Sequence, residues 1–243
     1  MNLRSAHALM MTSAVAFLCV GCKNVPGKPG PEAERPAQLL QFSMLYRDNC
    51  AACHGESGKE GAAISLANPV YLAAAGVDRI QTVTAKGVAG TLMPAFAESQ
   101  GGMLTDQQIA VLVQGMETKW GRADALGGQT PPSYASSSTG DSAQGQKAFT
   151  MFCASCHGAD GTGVASDKIH TGSLVDPAYL ALISDQGLRS LILAGQPQEG
   201  MPDWRSDMTG PGSRALTDQE ITDIVAWLAS HRIATPGQPY QHP

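Results

Sequence analysis

The chain has 243 residues, 43% of them hydrophobic and 5% aromatic, with 16 basic against 21 acidic side chains. That length allows two small domains plus extensions, but the apolar content is thin for two separate cores unless a buried non-protein group supplies part of the apolar surface. The net charge of −5 argues against nucleic acid or an acidic lipid face as the partner.

Residues 1–21 read as a signal peptide. Arg4 precedes an apolar run from Ala8 to Val20, short for a bilayer span and matched to a signal-peptide core, so export is expected. Leu18-Cys19-Val20-Gly21-Cys22 resembles a bacterial lipobox, with Cys19 where Leu is usual, and the resemblance implies lipidation of Cys22. A plainly cleaved leader and an uncleaved helical anchor are the alternatives. Loss of the leader removes Arg4 and leaves 15 bases against 21 acids, a net charge of −6. Residues 22–35 form a tether, with Pro26, Pro29 and Pro31 ahead of Pro36 and Gly27 and Gly30 among them, the composition of an extended spacer.

A first helix, from about Arg35 to Asn49, leads into Cys50-Ala51-Ala52-Cys53-His54. A second, from Ser142 to Phe152, leads into Cys153-Ala154-Ser155-Cys156-His157. Cys-x-x-Cys-His is the c-type haem attachment signature: two thiols add to the porphyrin vinyl groups and the adjacent His reaches the iron. Zinc is the weaker reading, because His54 is the sole histidine between the leader and His157, and the first half cannot close a four-ligand site of Cys and His. A dithiol oxidoreductase would want a βαβ context that these helical flanks lack. The remaining cysteines, Cys19 and Cys22, lie in or beside the leader, which leaves no pair for a structural disulfide.

The two phrases belong to a tandem repeat. They align at an offset of 103; Leu66-Ala67-Asn68-Pro69-Val70-Tyr71-Leu72 then matches Leu174-Val175-Asp176-Pro177-Ala178-Tyr179-Leu180 at 108, and Leu104-Thr105-Asp106 matches Leu216-Thr217-Asp218 at 112. Insertions of five and four residues in the second half account for each change of register. Middle helices are expected to follow Pro69 and Pro177 to about Lys86 and Ala194. Last helices should open at Thr105 and Thr217, good N-caps, and Ile221, Ile224, Val225 and Leu228 then mark one apolar face. Residues 122–140, rich in Gly, Pro, Ser and Thr, read as a linker.

With the two haem phrases and the repeat in hand, the chain resembles a di-haem member of the class I cytochrome c family. The resemblance implies an all-α fold of two tandem class I cytochrome c domains, residues 36–121 and 141–235, each around one covalently bound haem c, with 236–243 as a tail. Cys50, Cys53 and His54 would hold one haem, Cys153, Cys156 and His157 the other. A sixth ligand is expected from Met93 and Met201, which stay in register between the copies, each followed by Pro and then by an aromatic, Phe96 or Trp204. Met103, Met208 and His170 are the competitors. The family commonly places a Pro where Ile64 and Gly172 stand, near the carbonyl that accepts from the proximal imidazole, so no acceptor follows from the sequence. Such domains also cross their first and last helices at a small residue beside an aromatic one. Domain two offers Gly145 and Trp227, domain one Phe42 and Gly115, with large and small partners exchanged. His231, at the end of the last helix, is expected to meet terminal carbonyls.

Six-coordinate irons leave no open position, so the resemblance implies an electron-transfer protein and not an enzyme. It would carry single electrons between a quinol-oxidising or dehydrogenase complex in the membrane and a terminal acceptor, on the periplasmic side, held to the membrane by a lipid on Cys22. A fixed subunit of a respiratory or photosynthetic complex is the alternative, and a di-haem enzyme such as a peroxidase a further one.

Overall fold

The computed structural model describes residues 35–166, 170–206 and 214–233. The expected signal peptide, Cys22, the tether up to residue 34, Met208, His242 and the tail 236–243 lie outside them. A short 3-10 turn, Pro36–Gln38, closes the N-terminal segment, and the chain from Leu39 onward forms a unit that contains both repeats.

The first helix, α1 (Phe42–Asn49), starts later than its expected Arg35. Leu39 and Leu40 lie outside any helix instead, and the Leu39 carbonyl accepts from Gln108 Nε2 at 3.1 Å. After the single residue Cys50, α2 (Ala51–His54) carries the rest of the haem phrase. The expected middle helix is two helices, α3 (Pro69–Ala75) and α4 (Val77–Lys86), broken at Gly76, whose φ of +75° ends the first. The last helix of this half is α5 (Asp106–Trp120), opened by a capping box in which Thr105 and Gln108 satisfy each other's backbone N–H.

The second half repeats the plan with α6 (Ser142–Phe152), α7 (Ala154–His157), α8 (Pro177–Leu182), α9 (Asp185–Ala194) and α10 (Asp218–Ala229). Here the middle helix breaks at Ile183–Ser184, and the Ser184 hydroxyl recaps α9 by accepting from Gly187 N at 3.1 Å. The five-residue insertion forms a small antiparallel ribbon, β1 (Val164–Ala165) with β2 (His170–Thr171). These are the paired strands among the described residues, and the fold is otherwise helical.

Each half buries equivalent positions. Tyr46, Leu72, Ile80, Leu104, Ile109, Leu112 and Met116 are matched by Phe149, Leu180, Leu188, Leu216, Ile221, Ile224 and Leu228. The helix crossing uses the exchanged pair expected from the sequence: a Cβ on Gly115 would overlap the Phe42 ring, and one on Gly145 would overlap the Asp223 carbonyl and lie 2.9 Å from Trp227 Cβ. Both crossings are close because one side has no side chain.

The segment 122–140 is strapped down. The buried Arg189 guanidinium donates to the Ser133 carbonyl (2.7 and 2.9 Å), to the Tyr134 carbonyl (3.2 Å) and to Thr222 Oγ1 (3.0 Å), and pairs with Asp218. Asp141 N donates to Asp223 at 2.8 Å. On the other side Tyr134 meets Tyr71 edge-on, with centroids 6.2 Å apart, and Arg79 lies over its ring. The linker thus touches both halves.

Candidate haem centres

Both haem phrases sit at the end of a first helix, whose ladder continues into the phrase: Cys50 N donates to Tyr46 O and Cys153 N to Phe149 O, each at 2.8 Å. A four-residue helix then brings Cys50, Cys53 and His54 onto one turn, and Cys153, Cys156 and His157 onto its counterpart. Gly55 and Gly158, with φ of +80° and +76°, turn the chain away immediately after the histidines. In the first half Tyr46 Oη donates to the Gly55 carbonyl at 2.9 Å, which fixes that turn; Phe149, its counterpart, has no hydroxyl to do so.

His54 is 7% exposed and its Nδ1 lies 2.7 Å from the Ile64 carbonyl. A ring tied at Nδ1 presents Nε2 outward, which is how a metal-bound histidine is usually held. This acceptor was invisible in the sequence because a backbone carbonyl has no side-chain signature. Among the described residues the buried Nδ1 of His157 has no hydrogen-bond partner. Burial lowers the pKa of both imidazoles, opposed at His54 by the Ile64 bond, and so favours the neutral form that can bind a metal. The thiols are free. Burial, reinforced by the neighbouring Cys53 or Cys156, pushes Cys50 and Cys153 up to about 12, so each is held as a thiol and not as a reactive thiolate.

Met93 and Met201 stand half-buried on loops built alike. Gly87 and Gly195 end α4 and α9 with positive φ, and a Cβ on either would press into the loop backbone, 2.6 Å from Pro94 C or 2.5 Å from Pro202 C. Val88 N donates to the Met93 carbonyl at 3.1 Å, and Gln196 and Met201 exchange two backbone bonds at 2.9 and 3.1 Å. Beyond them Leu104 N and Leu216 N donate to the Phe96 and Trp204 carbonyls at 2.8 and 2.9 Å. Met201 also lines an open cleft of about 450 Å³ with Pro197, Gly200, Pro202, Asp203 and Arg205. Of the competitors, Met103 is 83% exposed and His170 lies exposed on β2. His231 Nδ1 lies 2.9 Å from the Trp227 carbonyl at the end of α10, as expected. No cluster of three or more His, Cys, Asp or Glu that could hold a bare metal ion occurs among the described residues. Paired free thiols on one turn beside an imidazole, in each half, are the donor set a covalent haem needs, with Nδ1 already tied at His54 and Nε2 left for the iron, so the residues fit that group.

A family model for cytochrome c matches residues 142–232, and the model for cytochrome c oxidase, cbb3-type, subunit III matches residues 37–114. The chain is 27% identical over 155 residues to the Cbb3-type cytochrome c oxidase subunit CcoP of Azospirillum sp. (strain B510), covering 57% of this chain and 47% of that one. It is 34% identical over 110 residues to subunit FixPc of Rhizobium leguminosarum bv. viciae (44% and 35%), and 25% identical over 192 residues to CcoP of Cereibacter sphaeroides (73% and 60%). The chain thus spans about half the length of the curated relatives it matches. Repeat, helical plan, haem phrases and family matches in each half agree: the chain belongs to the class I cytochrome c family, as a tandem protein with two covalently bound haem c groups.

Proposed function

We propose that the chain is a two-station carrier of single electrons, with domains at 36–121 and 141–235, His54 and Met93 as axial ligands of the first haem and His157 and Met201 of the second. The thioether partners are Cys50 and Cys53, then Cys153 and Cys156. Haem c supplies a one-electron couple whose ligands stay the same in both oxidation states. The protein's part is to hold those ligands still and keep water from the distal side. The observation that carries the reading is the pair of methionine loops, each seated on a glycine at a helix end and each followed by a buried backbone bond from a Leu. Export and a lipid on Cys22 would place the carrier at the periplasmic face of a membrane; no helix among the described residues is long and apolar enough to cross one.

A second reading is favoured by the names of the relatives, which are oxidase subunits: the chain works as a resident subunit of a respiratory complex and not as a free shuttle. Solubilising membranes in mild detergent and following haem-stained bands on a native gel separates the two, since a subunit migrates with a larger complex and a shuttle does not. The ligand assignment is tested by optical redox titration of the holoprotein. Two ferric methionine-to-iron charge-transfer bands are expected, one lost in Met93→Ala and the other in Met201→Ala. A haem that lacks the band, or is high-spin when ferric, overturns the carrier reading for that domain and reopens a catalytic one.

A further inference from the structure

The residue that opens the helix after the first haem phrase has two sets of partners. Asn68 Oδ1 accepts from Val70 N at 2.9 Å and Tyr71 N at 3.2 Å and so caps α3. Its amide nitrogen donates into the other half of the chain, to the carbonyls of Ala194 at 2.9 Å and Gly195 at 3.1 Å. The side chain is 4% exposed. The aligned residue, Asp176, caps α8 in the same way, at 2.8 and 2.9 Å, but it is exposed, and a carboxylate has no donor to offer. Capping alone therefore does not call for an amide at position 68.

The donated bonds land where the second methionine loop is seated. Ala194 is the last residue of α9 and Gly195 its C-cap, with carbonyls that have no partner within the helix. The backbone at Gly195 lies against Pro202, and the next residue, Gln196, exchanges both backbone bonds with Met201. In the other direction along the chain, Ile64, whose carbonyl ties His54, is four residues before Asn68. One buried side chain joins the loop that orients the first proximal histidine to the shelf that carries the second methionine.

We propose that Asn68 is a positioning residue for the second haem: from the first half of the chain, it holds the end of α9 and with it the Met201 loop. The inference rests on Met201 as sixth ligand. Removing the amide strips a buried donor from two carbonyls, and the shelf loosens.

The test uses full-length holoprotein and imidazole, which competes with methionine for ferric haem c. Asn68→Ser keeps a capping oxygen and is too short to reach Ala194. It is expected to raise the imidazole affinity of the second haem roughly tenfold and leave the first unchanged. Asp176→Ala, which removes a cap from the second half itself, is expected to leave both near wild type. An unchanged second haem in Asn68→Ser, an equal rise at the first haem, or an equal rise in Asp176→Ala overturns the proposal. Should Asn68→Ser fail to assemble both haems, Asn68→Asp, which keeps size and cap and replaces the donor by an acceptor, is read in the same way. Met201→Ala separates the two layers: if it spares the second charge-transfer band, the ligand reading falls and the Asn68 role falls with it. If it abolishes the band while Asn68→Ser behaves as wild type, only the Asn68 role falls.

Discussion

At Gly115 and Gly145 a single hydrogen in place of a side chain decides how near two helices can come. Each glycine faces a large group from the opposite helix, Phe42 in one half and the Asp223 carbonyl with Trp227 in the other. Substitution by Ala forces the axes apart, and overpacking of this kind typically costs about 1–3 kcal/mol. Gly115→Ala and Gly145→Ala are each expected to lower the urea midpoint of the holoprotein; Gly172→Ala, where a Cβ meets nothing within 4 Å and φ is not positive, should leave it near wild type. The exchange of partners was readable from the aligned sequences. The role of Trp120 was not: its ring covers Gly58, where a Cβ would lie 2.7 Å from it, and Trp227 lies 3.1 Å from the equivalent point at Gly161. The two tryptophans occupy different turns of their helices and reach the same place, which no residue-by-residue alignment reveals.

The last helices carry the clearest local signals at the level of elements. Thr105 and Thr217 open capping boxes with Gln108 and Glu220, as the Thr-Asp starts implied. Thr217→Ala is expected to destabilise the protein by about 1 kcal/mol, measured by chemical unfolding. Glu220 is held down to about 2 from an ordinary 4.5, chiefly by its bonds to Arg214 and also by those from Thr217. A carboxylate depressed in the folded state adds stability above its unfolded pKa and loses it as pH falls toward the folded one. The stability difference between wild type and Glu220→Gln should therefore be constant above about pH 5, shrink through the window from 4.5 to 2, and vanish below it. Helix starts were legible because a cap is a local choice between side chain and backbone. The late start of α1 and the breaks at Gly76 and at Ile183–Ser184 were not, since they depend on what the chain packs against: Leu39 is drawn out by Gln108 from another helix, and Ser184 offers a fresh cap where α8 has already ended.

Over the whole molecule, the segment 122–140 is a bridge more than a spacer. Its composition suggested free chain, but Arg189, far away in sequence, collects its carbonyls, and Tyr134 meets Tyr71 in the other half. Arg189→Ala is expected to cost about 2 kcal/mol, by stripping the Ser133 carbonyl of its two donated bonds, and to open the segment to limited proteolysis. An unchanged cleavage pattern would contradict the strapped linker. The exchanged helix pair has a further consequence for a chain that contains two versions of one domain. Tandem repeats of similar sequence invite misassembly, in which the first helix of one copy docks on the last helix of the other. Here the first cross-pairing would press Phe42 against Trp227, too much volume for one crossing. The other would set Gly145 opposite Gly115 and leave a hole. Neither wrong pairing fills its space as the native ones do, so the same two substitutions that let each domain close also let a nascent chain tell its own halves apart.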